Sequence, residues 1–154
     1  MLKIISGGQS GADIAGLIAA KQQGLETGGT MPKGFKTLDG PKPEYAEIFG
    51  IEEHSSASYV PRTHKNVKDS DATMRLASNF KSAGEICTLN AIEKYGKPHF
   101  DVNLSQPCPI EDAVSWIKEN NIKILNIAGN AEQTSPGTYK KVKSYLIEVF
   151  SRLK

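Results

Sequence analysis

The sequence predicts an α/β fold: a single domain with a mainly parallel sheet and helices on both faces. Three observations predict it. Short apolar runs alternate with stretches whose apolar residues recur at helical spacing. Glycines and prolines separate those segments. The length of 154 residues suits one core, since a chain of that size buries roughly 68–70% of its unfolded surface. Residues 1–154 therefore read as one ligand-binding domain.

Residues 2–6 form an apolar strand that runs directly into a glycine turn. Residues 10–23 are helical, with Ile14, Leu17 and Ile18 at helical spacing. Ala12, Ala15 and Ala19 are small enough to let this helix approach a sheet, and Gly24 stops it. Residues 28–56 read as irregular, because Gly28, Gly29, Pro32, Gly34, Gly40, Pro41 and Pro43 interrupt any period; one helical turn is expected at 45–49. Ser58 is placed to cap the next helix. Pro61 falls in its first turn, and Val60, His64 and Val67 share a face. Strands are expected at 71–76, 98–102 and 122–128, the last being the most apolar. Helices are expected at 84–95, ended by Gly96, at 110–120, and at 139–153. The final one carries Tyr139, Val142, Leu146, Val149, Phe150 and Leu153 on one stripe.

Composition narrows the function. The net charge of +2 gives no ground for a nucleic-acid partner, and the basic residues from 140 onward read as the solvated face of the last helix. Cys87 and Cys108 fit no paired spacing and read as free thiols, without the neighbouring Cys or His that a structural metal would need. The first residues lack a signal-peptide core, and no apolar run approaches the ~20 residues of a membrane span. A cytoplasmic protein with no membrane partner is expected.

Five segments bear on chemistry. Gly7-Gly8-Gln9-Ser10-Gly11-Ala12-Asp13 follows the first strand. It offers a flexible backbone and a helix N-terminus suited to an anion, although the same residues can simply make a tight turn with Asp13 capping the helix. The dinucleotide and Walker spacings are absent. The segment from Gly28 to Gly34 reads on composition as a surface loop from which Lys33 and Lys36 could reach an anion. Arg62, Asn66 and Asp69 recur at steps of three and four on one helix face, beside Asp71, and form either a ligand grip or an exposed polar face. Ser82-Ala83-Gly84, leading to Thr88, is either a second anion site or an ordinary helix cap. Gly129-Asn130, followed by Ser135-Pro136-Gly137, stands at a strand's carboxyl end and either lines the same crevice or merely connects. His54, His64 and His99 are scattered, and no Gly-x-Ser-x-Gly elbow exists for a hydrolytic serine.

Taken in order, Ile4-Ile5-Ser6-Gly7-Gly8-Gln9-Ser10-Gly11-Ala12-Asp13, Gly28-Gly29-x-x-Pro32-Lys33-Gly34, Asp39-Gly40-Pro41, Tyr59-x-x-Arg62-Thr63-x-x-Asn66-Val67-x-Asp69-Ser70-Asp71-Ala72-Thr73 and Leu125-Asn126-Ile127-Ala128-Gly129 with Pro136-Gly137-x-Tyr139 resemble the family of proposed molybdenum-cofactor carriers. The resemblance implies a Rossmann-like three-layer domain of the superfamily that includes cytokinin-activating phosphoribohydrolase-like (lysine decarboxylase-like) proteins. It implies a homo-oligomer, dimer or tetramer, and a ligand that is molybdopterin cofactor or a nucleotide. The chain departs from the family in two places. Thr30-Met31 stands where Trp-Cys is common. Gly84-Glu85-x-x-Thr88 replaces Gly-Thr-x-x-Thr, so Glu85 puts a carboxylate where an anion would sit. Aligned on Gly84, the catalytic Glu of the phosphoribohydrolases falls on Thr88, which cannot exchange protons near neutral pH. The expected protein is a binder without catalytic residues. It would hold a phosphate-bearing pterin or nucleotide through Gly7, Gly8, Gln9, Ser10, Gly11, Asp13, Lys33, Arg62, Asn66, Asp71, Gly84 and Thr88, and would need no metal. The alternatives are a nucleotide-processing enzyme, with Asp13, Asp71 or Glu85 as acid or base, and a nucleotide sensor.

Overall fold

A computed structural model describes residues 1–153. In chain order the described elements are β1 (Lys3–Ser6), α1 (Ala12–Gln22), β2 (Glu26–Met31), α2 (Tyr45–Phe49), β3 (Glu52–Glu53), α3 (Tyr59–Asp69), β4 (Ala72–Ala77), α4 (Ala83–Tyr95), β5 (His99–Asn103), α5 (Ile110–Glu119), β6 (Ile124–Gly129) and α6 (Thr138–Ser151). The strands form one sheet in the order β3-β2-β1-β6-β4-β5, and every pairing is parallel. Helices cover both faces, giving the Rossmann-like α/β architecture expected.

Helices α1, α5 and α6 pack together over one face. Small residues of α1 (Ala12, Ala15, Ala19, Ala20) admit Val142, Leu146, Val149 and Phe150 of α6, all fully buried. Burying each of the larger of these side chains contributes about 1.5–3 kcal/mol. Helices α3 and α4 cover the other face, with Val67, Ala91 and Ile92 between them. The buried face of α3 is Thr63, Asn66 and Val67, not the Val60, His64 and Val67 face that apolar spacing suggests. The reason is polar: Asn66 donates to the Thr30 carbonyl and accepts from the Thr30 amide, which turns α3 so that Asn66 faces β2.

The irregular reading of 28–56 is corrected by the fold, because β2 and β3 lie within or across it. Gly28 and Gly29 are strand residues paired with Ile5 and Ser6. Gly29 has φ 128°, and a Cβ there would run into the Ser6 carbonyl, so glycine is what allows β2 to lie against β1. The expected turn at 45–49 is α2.

The strand order sets the position of the site. The chain moves outward from β1 to β2 and β3, crosses to β4 and β5, and returns to insert β6 beside β1. From β1 the chain runs through α1 to β2 on one side of β6, and from β4 through α4 to β5 on the other side and the opposite face; such a reversal in a parallel sheet opens a crevice at the carboxyl ends.

Candidate functional site

A cavity of about 380 Å³ occupies that crevice. Its walls come from the loop after β1 (Gly7, Gln9, Ser10), the end of β6 with Asn130, the first turn of α3 (Tyr59, Arg62, Thr63) and the start of α4 (Ser82 to Glu85, Thr88). The volume falls in the range of small-molecule sites.

The loop after β1 is built around its own acid. The Ser6 hydroxyl donates to the Asp13 carbonyl and accepts from the Gly8 amide. The Gln9 amide donates to Asp13 Oδ2 at 3.3 Å, and the Gly7 amide also binds this carboxyl. The seat that the sequence offers to a ligand's phosphate is therefore filled by Asp13. Burial pushes the Asp13 carboxyl up to about 6, against the lowering effect of Arg62 and the two amides. Arg62 Nη1 lies 3.6 Å from Asp13 Oδ2. The guanidinium rests directly over Gly7, and any Cβ at that position would collide with Nη1. A side chain at that position would have to displace the guanidinium from beside Asp13.

Across the cavity, α4 starts at Ser82, whose hydroxyl accepts from the Glu85 amide. Gly84 lines the cavity and has open space beside it. Glu85 is 2% exposed, and its Oε1 has no hydrogen-bond partner among the described residues. Burial, and then the nearby Asp13 charge, push its carboxyl up to about 7. Arg75 does not neutralise it directly. That guanidinium is held by both oxygens of Asp101, and its Nη1 donates to the Glu85 backbone carbonyl. Two further atoms of cavity residues are buried without partners, Arg62 Nε and the Tyr59 hydroxyl. Buried polar atoms in native proteins are nearly always paired with protein or water, and all three of these belong to residues that line one cavity.

Asn130 holds the walls together. Its side-chain oxygen accepts from the Ser78 and Asn79 amides and the Ser135 hydroxyl. Its side-chain nitrogen donates to the Asn79 carbonyl and to Ser82 Oγ, while its backbone carbonyl accepts from Ala12.

Of the expected site residues, Gly7, Gln9, Ser10, Asp13, Arg62, Asn66, Gly84 and Thr88 line the cavity. Several are already engaged. Gln9 donates to the Gly7 and Lys36 carbonyls, Ser10 donates to Gln133 and accepts from Glu132, and Thr88 donates to the Gly84 carbonyl. Asn66 is spent on Thr30. Gly8 and Gly11 face a shallower groove on the far side of the same loop. Lys33 is exposed outside the cavity wall, with its amide on Ser56; Lys36 instead lies 4.9 Å over the Tyr59 ring. Asp71 stands just before β4, at the amino end of the sheet, and accepts from the Lys123 and Ile124 amides. It binds the chain entering β6 rather than shaping the cavity. Residues that sequence spacing did not bring to the cavity include Leu38 and Asn126. Glu85 read in sequence only as an obstacle to anions. The signal for a different role was a carboxylate three residues past a helix cap.

Among the described residues no three or more His, Cys, Asp or Glu gather as metal ligands, and no helix is long and apolar enough to cross a membrane.

Known proteins give two matches. The model of the circularly permutated YpsA SLOG family matches residues 4–150. The crystal structure of a Syntrophus aciditrophicus SB protein named "Putative molybdenum carrier protein" shares 37% sequence identity and superimposes with a TM-score of 0.86, over 97% of this chain and 94% of that one. This second match agrees with the resemblance carried by the sequence motifs. Comparison with curated proteins gave no match.

Proposed function

The chain belongs to the circularly permuted YpsA SLOG family, and from that premise we propose that its strand-end cavity binds a small phosphate-bearing heterocycle, a pterin or a nucleotide, and retains it as a carrier does. The observation that carries this reading is the set of three unpartnered buried atoms around the cavity, Glu85 Oε1, Arg62 Nε and Tyr59 Oη. Each belongs to a residue that lines the cavity, and a seated ligand pairs it only once its side chain turns inward. The phosphate belongs at the start of α4, where Gly84 leaves open space and the helix N-terminus favours an anion. Lys36 and Arg62 flank Tyr59 on that approach. The Syntrophus neighbour is named a molybdenum carrier.

Native mass spectrometry of freshly purified protein tests this, with titration by nucleoside and pterin monophosphates. Wild-type protein is expected to hold one such molecule and to release it with unchanged mass. Gly84→Glu, which places a carboxylate in open space at the helix start, is expected to lose it. Wild-type protein that purifies empty and binds none of these compounds would sink the reading.

A second reading rests on Glu85. A buried carboxyl titrating near 7 is poised for proton transfer, as an enzyme cleaving a nucleotide requires. Release of free base from a nucleoside monophosphate, lost in Glu85→Gln, would favour it.

A further inference from the structure

The reading above leaves open how the site takes up and gives back a charged ligand, and the buried charges in its wall bear on that. Three ionisable side chains from different elements meet there: Asp13 on α1, Arg62 on α3 and Glu85 on α4. Arg75 on β4 adds no net charge, because Asp101 on β5 holds it through both oxygens. The Cys87 thiol in the same wall is pushed up by burial and stays neutral. The Glu85 Oε1 has no donor among the described residues, so nothing there offsets the hydration that a carboxylate loses on burial, and the neutral acid is favoured. Asp13 has two backbone amides and the guanidinium to hold its charge. Burial, foremost, pushes the two carboxyls up all the same, Asp13 to about 6 and Glu85 to about 7. The wall therefore changes sign over a narrow span of pH: with both acids neutral these three side chains carry the +1 of Arg62, and with both ionised they carry −1. An anion seated in the cavity repels both carboxylates through this low-dielectric wall, whichever atoms it touches, and protonation of either acid relieves the repulsion.

We propose that the cavity takes an anionic ligand together with protons from solvent, which settle on the Asp13 and Glu85 carboxyls, and gives the ligand up as those protons leave. The inference rests on the ligand-binding reading and adds the condition under which the ligand is held or released. Ligand and proton strengthen each other's binding by the same factor, as linkage requires. Mildly acidic solution loads the site, and alkaline solution unloads it.

The test measures the affinity of nucleoside and pterin monophosphates by isothermal titration calorimetry at pH 6 and pH 8, for wild-type protein and for Glu85→Gln. A phosphate monoester changes its own charge near pH 6, but it does so alike with both proteins, and the contrast between them reads the Glu85 carboxyl. On going from pH 8 to pH 6, wild-type affinity is expected to tighten about fivefold or more beyond the change in Glu85→Gln, since a group titrating near 7 passes from mostly ionised to mostly protonated over that span. A thermal melt confirms that the variant is folded. Carbon-13 NMR titration of the side-chain carboxyls in wild-type protein is the second readout, and the Asp13 and Glu85 midpoints are expected to rise by about one pH unit or more when the ligand saturates the site. Equal pH ratios in the two proteins, or a larger one in Glu85→Gln, overturn the coupling while leaving the cavity's ligand-binding role standing. Midpoints that stay in place or fall on binding also overturn it. No binding of any of these compounds at either pH overturns the ligand-binding reading and this inference with it.

Discussion

Arg62 Nη1 sits 3.6 Å from Asp13 Oδ2, and its guanidinium lies over Gly7, whose amide also binds that carboxyl. Cation, acid and backbone thus form one unit at the end of β1, and neither charged side chain is more than 15% exposed. Removing one partner of such a buried pair leaves the other charge uncompensated.

Arg62→Leu is therefore expected to destabilise the protein by about 3 kcal/mol at pH 8. The cost shrinks at pH 5, where an Asp13 carboxyl pushed up to about 6 is mostly protonated and needs no cation. Urea unfolding at the two pH values checks this, and an equal loss at both would show that the guanidinium acts through packing alone.

Glu85 makes stability depend on pH in a definite direction. Its carboxyl rises from 4.5 to about 7 on folding, so the folded state binds more protons than the unfolded chain. The protein should be most stable below about pH 4.5 as far as this group is concerned, and should lose stability as pH rises through 7. The groups facing Glu85 are Asp13 on α1, Arg75 on β4, Asp101 on β5 and Arg62 on α3. Glu85→Gln is expected to flatten the slope between pH 5 and 8 and to be the more stable protein at pH 8, by about 2–3 kcal/mol. Thermal melts across that range read it directly; an unchanged slope would place the titration elsewhere.

Asn130→Ala removes the side chain that ties the ends of β4 and β6 to the start of α4. Fully buried donors and acceptors left behind cost about 1–3 kcal/mol each, and these part-buried ones cost less apiece. Unfolding free energy is expected to fall by about 2–3 kcal/mol, with faster amide exchange at Ser78 and Asn79. Undisturbed exchange at those two amides would argue that water takes over the role.

Asp71→Ala separates folding from binding. It removes the acceptor for the Lys123 and Ile124 amides, at a cost of about 1 kcal/mol. Ligand titrations should be unaltered, since the residue lies at the opposite end of the sheet. A loss of affinity without loss of stability would contradict that placement.

The contrast between Asp71 and Glu85 shows what the sequence made legible. The alternating periods of β1, α1, α4, β6 and α6 are local signals, and they mark out the fold and the loops that meet at the cavity. The missing strand β2 was hidden because Gly28 and Gly29, read locally, are turn residues. Their use as close-approach residues against Ser6 depends on a strand twenty residues away in sequence. Asp71 has the chemistry of a site residue and falls in the resembling motif, but a carboxylate at the amino end of a strand meets backbone amides there. The Glu85 carboxyl lacked a visible partner in sequence, and among the described residues its Oε1 has none. That property emerges only when Arg75 is seen to be spent on Asp101.

The seating of Asp13 against the Gly7 and Gln9 amides has a consequence for the protein in a crowded solution. A carboxylate carried on the same chain competes for those amides at an effective concentration of about millimolar or higher, without diffusing away. Sulfate, bicarbonate and free orthophosphate must evict it to bind there, and none brings a ring that could engage the rest of the cavity. The first turn of α1 thus carries its own competitor for small free anions.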